Sequence, residues 1–374
     1  MTQRSLEEQQ ASDAAVPVTR TEGRFSRLRF PLDTLEALLL SSGAVLVAGL
    51  LFGGFVALQG IDPLAVYRTL YLGAFGTRFS IESTLTQAAP LLLTALCTLI
   101  PARVGLLVIG GEGALVLGGL GAVLAGVALQ GAPGPVGTAL TIAAGGLAGG
   151  LWIAAAGALK HVRGVNETIS TLLMNYIAIA LLNHLVSGPV RDFSQTLKAQ
   201  SWSIPGGFMI GNIPDLSVHW GLVIGLVICV LLHVMLRFTT LGFSMDILGG
   251  NRRAAQMAGL PIGRLILLAC FLGGAGAGIA GAIEIVAVHG AASESLVVGF
   301  GYAGILVAFL ARQNALAVIV VALLLGGISA SGGLLQRRFD MPFAATAVLQ
   351  GLIFICVLAS NTFSGRLLAR RGAR

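Results

Sequence analysis

The sequence predicts an all-α membrane protein, a polytopic bundle of about ten transmembrane helices with both termini cytoplasmic. Three observations carry this. Hydrophobic residues make up 56% of the chain and charged residues 10%. A soluble domain is usually about 25% charged, so this chain has too little polar surface to cover itself in water. The apolar residues fall into stretches near the twenty or so that a helix needs to cross hydrocarbon. The basic residues gather in alternate connections between those stretches.

The elements follow in order. Residues 1–34 are polar, with Glu7, Glu8 and Asp13 followed by Arg20, Arg24, Arg27 and Arg29. A signal peptide has a short basic start and then an apolar run at once, so this segment is expected to be a flexible cytoplasmic tail. Spans are expected near 35–59, 83–101, 104–129, 135–159, 165–187, 219–236, 263–288, 299–311, 314–331 and 341–361. A basic cytoplasmic tail, 362–374, completes the chain. With the N-terminus inside, seventeen of the 23 lysines and arginines lie in inner segments. These include Arg103, Lys160, Arg163, Arg237, Arg252, Arg253, Arg264 and Arg312. The positive-inside rule selects this orientation over its inverse.

Three connections stand out. Outer residues 60–82 carry Asp62-Pro63 and then Leu64, Tyr67, Leu70 and Tyr71 at near-helical spacing. A proline opening such a run predicts a short interfacial helix. Outer residues 188–218 contain Gly188-Pro189, Pro205-Gly206-Gly207 and Pro214, the composition of a structured loop. Inner residues 242–264 form a mildly amphipathic loop.

Glycine is abundant, at 52 residues. Gly145 and Gly149 are four apart in one span, as are Gly274 and Gly278 in another. Small residues at that spacing let helix backbones approach closely in lipid. Cys97, Cys229, Cys270 and Cys356 each sit in an apolar run without metal-ligand or redox spacing, so they read as small buried hydrophobes. No metal site is expected.

Enzyme chemistry has little to stand on. A nucleotide-hydrolysing loop needs Gly-x-x-x-x-Gly-Lys-Ser/Thr, and the only lysines, Lys160 and Lys198, each follow a leucine. His-Glu-x-x-His and Gly-x-Ser-x-Gly are also absent. The informative residues are polar groups inside spans, because such groups usually face a pathway or a partner. Glu112 lies in Gly110-Gly111-Glu112-Gly113, where the glycines predict a broken helix whose backbone lines a cavity. Asn175 is near the middle of a span. Glu284 is close to His289 and Glu294, and Gln87 and Gln350 occupy other spans. Interhelical hydrogen bonding without any ligand is the alternative for each.

The inner loop reads Gly249-Gly250-Asn251-Arg252-Arg253-Ala254-Ala255-Gln256-Met257-Ala258-Gly259-Leu260-Pro261. Alanines flank a predicted short helix stopped by Gly259 and Pro261. A small-faced helix projecting inward suits a cleft on another protein. A basic loop held to anionic headgroups is the alternative.

This loop resembles the coupling segment of ABC-importer permeases, in the group serving branched-chain amino acids, ribose-type sugars and nucleosides. Gly164-Val165-Asn166-Glu167-Thr168-Ile169-Ser170-Thr171, continuing to Met174-Asn175-Tyr176-Ile177-Ala178, is similar to the nucleoside and simple-sugar branch. So are Gly110 to Gly113, Gly188-Pro189, Glu284 through Glu294, Gly299-Phe300-Gly301-Tyr302 and Leu349-Gln350-Gly351. The likeness covers roughly 35–361. The chain departs from the common pattern at Val108, often Asn in this family, at Ala114, often Gln, and at Arg252-Arg253, often Pro-Glu.

The resemblance implies a division of labour. Two permease subunits, identical or different, form the pathway in a bacterial plasma (inner) membrane. A separate ABC ATPase subunit holds ATP and Mg, so no cofactor belongs to this chain. An extracytoplasmic substrate-binding protein, often a lipoprotein, docks outside. Gln87, Glu112, Asn175, Glu284, His289 and Gln350 are then expected along the substrate pathway. Asn251, Arg252, Arg253, Ala254, Ala255, Ala258 and Gly259 are expected in the ATPase-coupling loop. The expected cargo is a nucleoside, nucleobase or simple sugar, since no ring of basic side chains calls for an anion. A secondary transporter driven by an ion gradient is the alternative; it needs coupling-ion carboxylates near the midplane, where Glu112 and Glu284 are the only candidates.

Overall fold

The computed structural model describes residues 30–194 and 198–371, with side chains for 42–194 and 198–360. Among the described residues it is all-helical, and its only bridges between extended residues are three isolated ones in the outer connections. Seven helices are long and apolar enough to cross a membrane, or eight if one bent pair counts as a span. Each of the ten expected stretches contains helix, although residues 104–110 of the third belong to none. Phe300–Leu310 and the described part of Ala344–Arg371 are shorter apolar helices.

In chain order the elements are α1 (Phe30–Leu58), α2 (Pro63–Phe75), α3 (Arg78–Arg103), α4 (Gly111–Ala128), α5 (Gly134–Arg163), α6 (Glu167–Ser187), α7 (Gly221–Phe238), α8 (Thr240–Gly250), α9 (Arg252–Met257), α10 (Ile262–Glu284), α11 (Phe300–Leu310), α12 (Ala315–Phe339) and α13 (Ala344–Arg371). The expected tail 1–34 lies outside the described residues as far as residue 29, and helix begins at Phe30. The expected tail 362–374 is helical to Arg371, because Leu, Ala and Arg there favour continuing α13. Residues 60–82 hold α2, which the Asp62 carboxylate caps by accepting from Leu64 N at 3.0 Å. α1 and α2 meet at 118°.

The core is α10 packed against α3, α4 and α5. Its two glycine clusters face each other. A Cβ at Gly149 would stand 2.6 Å from Gly274 O and 2.7 Å from Gly278 Cα, and one at Gly145 would stand 2.6 Å from the Ala282 Cβ. No side chain fits between those backbones, so the seam exists only because the residues are glycines.

The connections sort to two ends, as charge alternation predicts. At one end Arg103 pairs with Asp246 at 3.1 Å and reaches Gln313 O, and Lys160 pairs with Glu167 at 2.8 Å. At the other, Ser201 N donates to Ala292 O, Arg78 to Asp215 O, and Arg338 to Thr69.

Candidate functional site

The expected span 104–129 is not helical throughout. Gly105 takes φ +79° and the chain stays out of helix until α4 begins at Gly111. Non-helical backbone inside a bundle must find partners other than its own helix. Side chains of α3 and α6 supply them. Thr98 donates to Val108 O and Thr168 to Leu107 O, both at 3.0 Å. Thr171 accepts from Ile109 N at 3.1 Å. Asn175 donates to Ile109 O at 2.9 Å and accepts from Gly113 N at 2.8 Å. Gly113 N is one of the donors that the first turn of α4 leaves unpaired.

Glu112 extends this web to α11. Its Oε1 accepts from Gly299 N at 2.8 Å and its Oε2 from Gly301 N at 2.6 Å. A carboxylate there satisfies the free N–H groups of the α11 N-terminus and faces its positive end. Gly299 takes φ +91°, and Gly301 lies directly on the Glu112 backbone. Glu112 and Asn175 are both fully buried.

Beside this buried web lie two exposed tyrosines. Tyr302, next to Gly301, sits with its hydroxyl within reach of Asn175 and in the field of Glu112 and Tyr176. Tyr302 is 40% exposed and Tyr176, near the middle of α6, 61%. A hydroxyl exposed at mid-span has no partner in hydrocarbon. That face therefore suits water, cargo or another polypeptide better than lipid tails.

The remaining expected residues lie elsewhere. Glu284 faces His289 at 3.8 Å, and Ser295 Oγ lies 3.5 Å from His289 Nδ1. His289, Asn183, Lys198, Gln200 and Glu294 line an outer cavity of about 1020 Å³. Gln350 donates to Leu325 O and Ser329 Oγ, joining α13 to α12. Gln87 is half-buried on α3, two turns before Thr94. Thr98 was not singled out by sequence, and Thr168 and Thr171 stood only in the motif that carries the resemblance, although Thr168, Thr171 and Asn175 form one stripe of α6 at helical spacing.

In the inner loop Asn251 separates α8 from α9 and caps α9, accepting from Arg253 N at 2.9 Å and Ala254 N at 3.2 Å. Gly259 ends the segment at φ +71°. Ala255 is buried, while Arg252, Arg253, Ala258 and Gly259 are exposed and Met257 is 84% exposed.

Residues 80–358 match the family described as branched-chain amino acid transport system / permease component. The chain belongs to that family. It is 30% identical over 362 residues, 91% of its own length and 94% of the relative's, to the glucose ABC transporter permease protein TsgB13 of Haloferax volcanii. It is 32% identical to the guanosine ABC transporter permease protein NupP of Bacillus subtilis, over 84% of this chain and 91% of that one. With the nucleoside ABC transporter permease protein NupB of Lactococcus lactis it shares 26% identity, over 75% of this chain and 79% of the relative. The chain is thus a multi-pass permease subunit of an ABC importer, and the relatives it resembles are transport components.

Proposed function

We propose that this permease carries a nucleoside, nucleobase or simple sugar inward across a plasma membrane, driven by ATP and Mg held on a partner ATPase. The observation that carries the reading is the family match joined to the broken segment at 104–110 and its exposed Tyr176–Tyr302 face. That face offers rings and hydroxyls without a fixed charge, which suits neutral polar cargo with flat surfaces. Glu112 and Asn175 hold the break beneath it. The Glu284–His289 pair and its outer cavity serve as the entrance, below an extracytoplasmic binding protein. Gln87 and Gln350 stay assigned to the pathway walls. The bundle crosses the membrane about ten times, counting Phe300–Leu310 and α13, and both termini are cytoplasmic. A second permease, identical or different, closes the open side.

The segment from Asn251 to Gly259 transmits the ATPase stroke. Nucleotide shifts the inward–outward equilibrium only through different affinity for the two states, and an exposed rigid helix gives that difference a lever. Uptake of labelled guanosine, uridine and glucose should be measured in proteoliposomes holding permease, ATPase and binding protein. It should require ATP, and the variant Arg252→Glu/Arg253→Glu should lose both uptake and ATPase retention. Uptake driven by an ion gradient without ATP would overturn the reading.

A further inference from the structure

At the end of the bundle that gathers Arg103, Lys160 and the inner loop lies a cavity of about 330 Å³. Three arginines line it from three separate segments: Arg103 at the end of α3, Arg237 at the end of α7, and Arg312 between α11 and α12. Asp246 is the only carboxylate in its wall, and it is bonded to Arg103. Three guanidinium groups against one carboxylate leave two positive charges in excess. Nε of Arg103 is buried without a hydrogen-bond partner, an unmet donor of the kind that native structures usually satisfy. Arg312 and Gln313 both hold positive φ, +50° and +59°, in the turn that brings Arg312 into the wall.

The rest of the lining says which anion fits. Leu236 and Phe243 supply an apolar side, and Phe243 and Phe238 are 67% and 72% exposed at the ends of the helices. Exposed phenylalanines beside a basic cavity offer apolar surface that acyl chains can cover. A basic pocket between helix ends, with an apolar wall, matches a phosphate that carries acyl chains better than a phosphate free in water.

We propose that this cavity binds the headgroup phosphate of one anionic phospholipid of the inner leaflet. Arg237 and Arg312 grip the phosphate, Arg103 Nε donates to it, and Phe243 packs against the glycerol and first acyl carbons. The lipid then ties together α3, α7, α8 and the turn before α12, independently of what the transporter carries.

The experiment uses the assembled transporter in nanodiscs of phosphatidylcholine containing phosphatidylglycerol, with retained lipids counted by native mass spectrometry. At about 1 kcal/mol per basic residue near an anionic surface, Arg237→Gln/Arg312→Gln should hold phosphatidylglycerol about thirty-fold more weakly. Both side chains are exposed, so the variant should assemble, and an unchanged melting temperature in phosphatidylcholine alone checks this. Arg237→Lys/Arg312→Lys should recover most of the binding. Equal retention by wild type and the Gln variant overturns the site. Displacement of the lipid by millimolar inorganic phosphate would make it a free-anion site and overturn the lipid assignment. Retention only when the ATPase is absent would show that a protein carboxylate fills the cavity, with the same consequence.

Discussion

Asn175→Leu removes the one side chain that both donates to Ile109 O and accepts from Gly113 N. Leucine branches at the same atom but is larger, so in this fully buried site it adds some overpacking, and it leaves two buried backbone groups without partners. Each costs about 1–3 kcal/mol when orphaned away from water, so the variant should lose roughly 2–6 kcal/mol, concentrated at the break. Two assays read this: thermal unfolding of the purified permease, and ATP-driven uptake in proteoliposomes. We expect a lower melting temperature and a fall in maximal uptake. Asn175→Asp separates the two bonds, because it keeps the acceptor for Gly113 N but turns an oxygen toward Ile109 O. It should lie between wild type and the leucine variant. If Asn175→Leu melts and transports as wild type does, the account of the break given above is wrong.

Two further outcomes test the same framework. Glu112→Gln presents an amide NH₂ to either Gly299 N or Gly301 N, so one bond to a charged acceptor becomes a donor–donor contact. The loss should be about 1.5–3 kcal/mol, seen as reduced uptake, and wild-type uptake would show that α11 is held otherwise. Gly149→Ala places a methyl 2.6 Å from Gly274 O and should cost about 1–3 kcal/mol through overpacking. Gly54→Ala, which meets nothing within 4 Å, serves as its control; equal melting of the two variants would refute the seam.

The positions of the helices were legible because each is written as a long apolar run. The glycine seam was legible too, since Gly145/Gly149 and Gly274/Gly278 repeat every four residues. The break was visible only in part. Val104, Leu106, Leu107, Val108 and Ile109 continue the hydropathy of a span, so composition extended a helix over them, and only Gly105 and Gly110-Gly111 pointed the other way. Glu112 and Asn175 stood out as polar groups in apolar surroundings. What they bond to did not, because a backbone amide of Gly299 or Gly113 carries no mark in a sequence. The roles of Thr98, Thr168 and Thr171 were hidden because these are common helix residues whose hydroxyls usually bond within their own turn. The inner cavity was illegible for another reason, since Arg103, Arg237 and Arg312 meet only after four helix ends converge.

A regular helix changes its shape reluctantly, because its ladder is common to every residue in it. Residues 106–110 are governed differently. From Leu107 to Ile109 each bond belongs to one separate side chain, Thr98, Thr168, Thr171 or Asn175, while Leu106 N bonds Pro101 O and Gly110 O accepts from Ala114 N. A single codon change can therefore release or shift one carbonyl while leaving the neighbouring helices whole. This part of the bundle is adjustable in small steps, and it lies directly beneath the tyrosine face. Selection for a new cargo thus has a dial here that the glycine seam, where any side chain collides, does not offer.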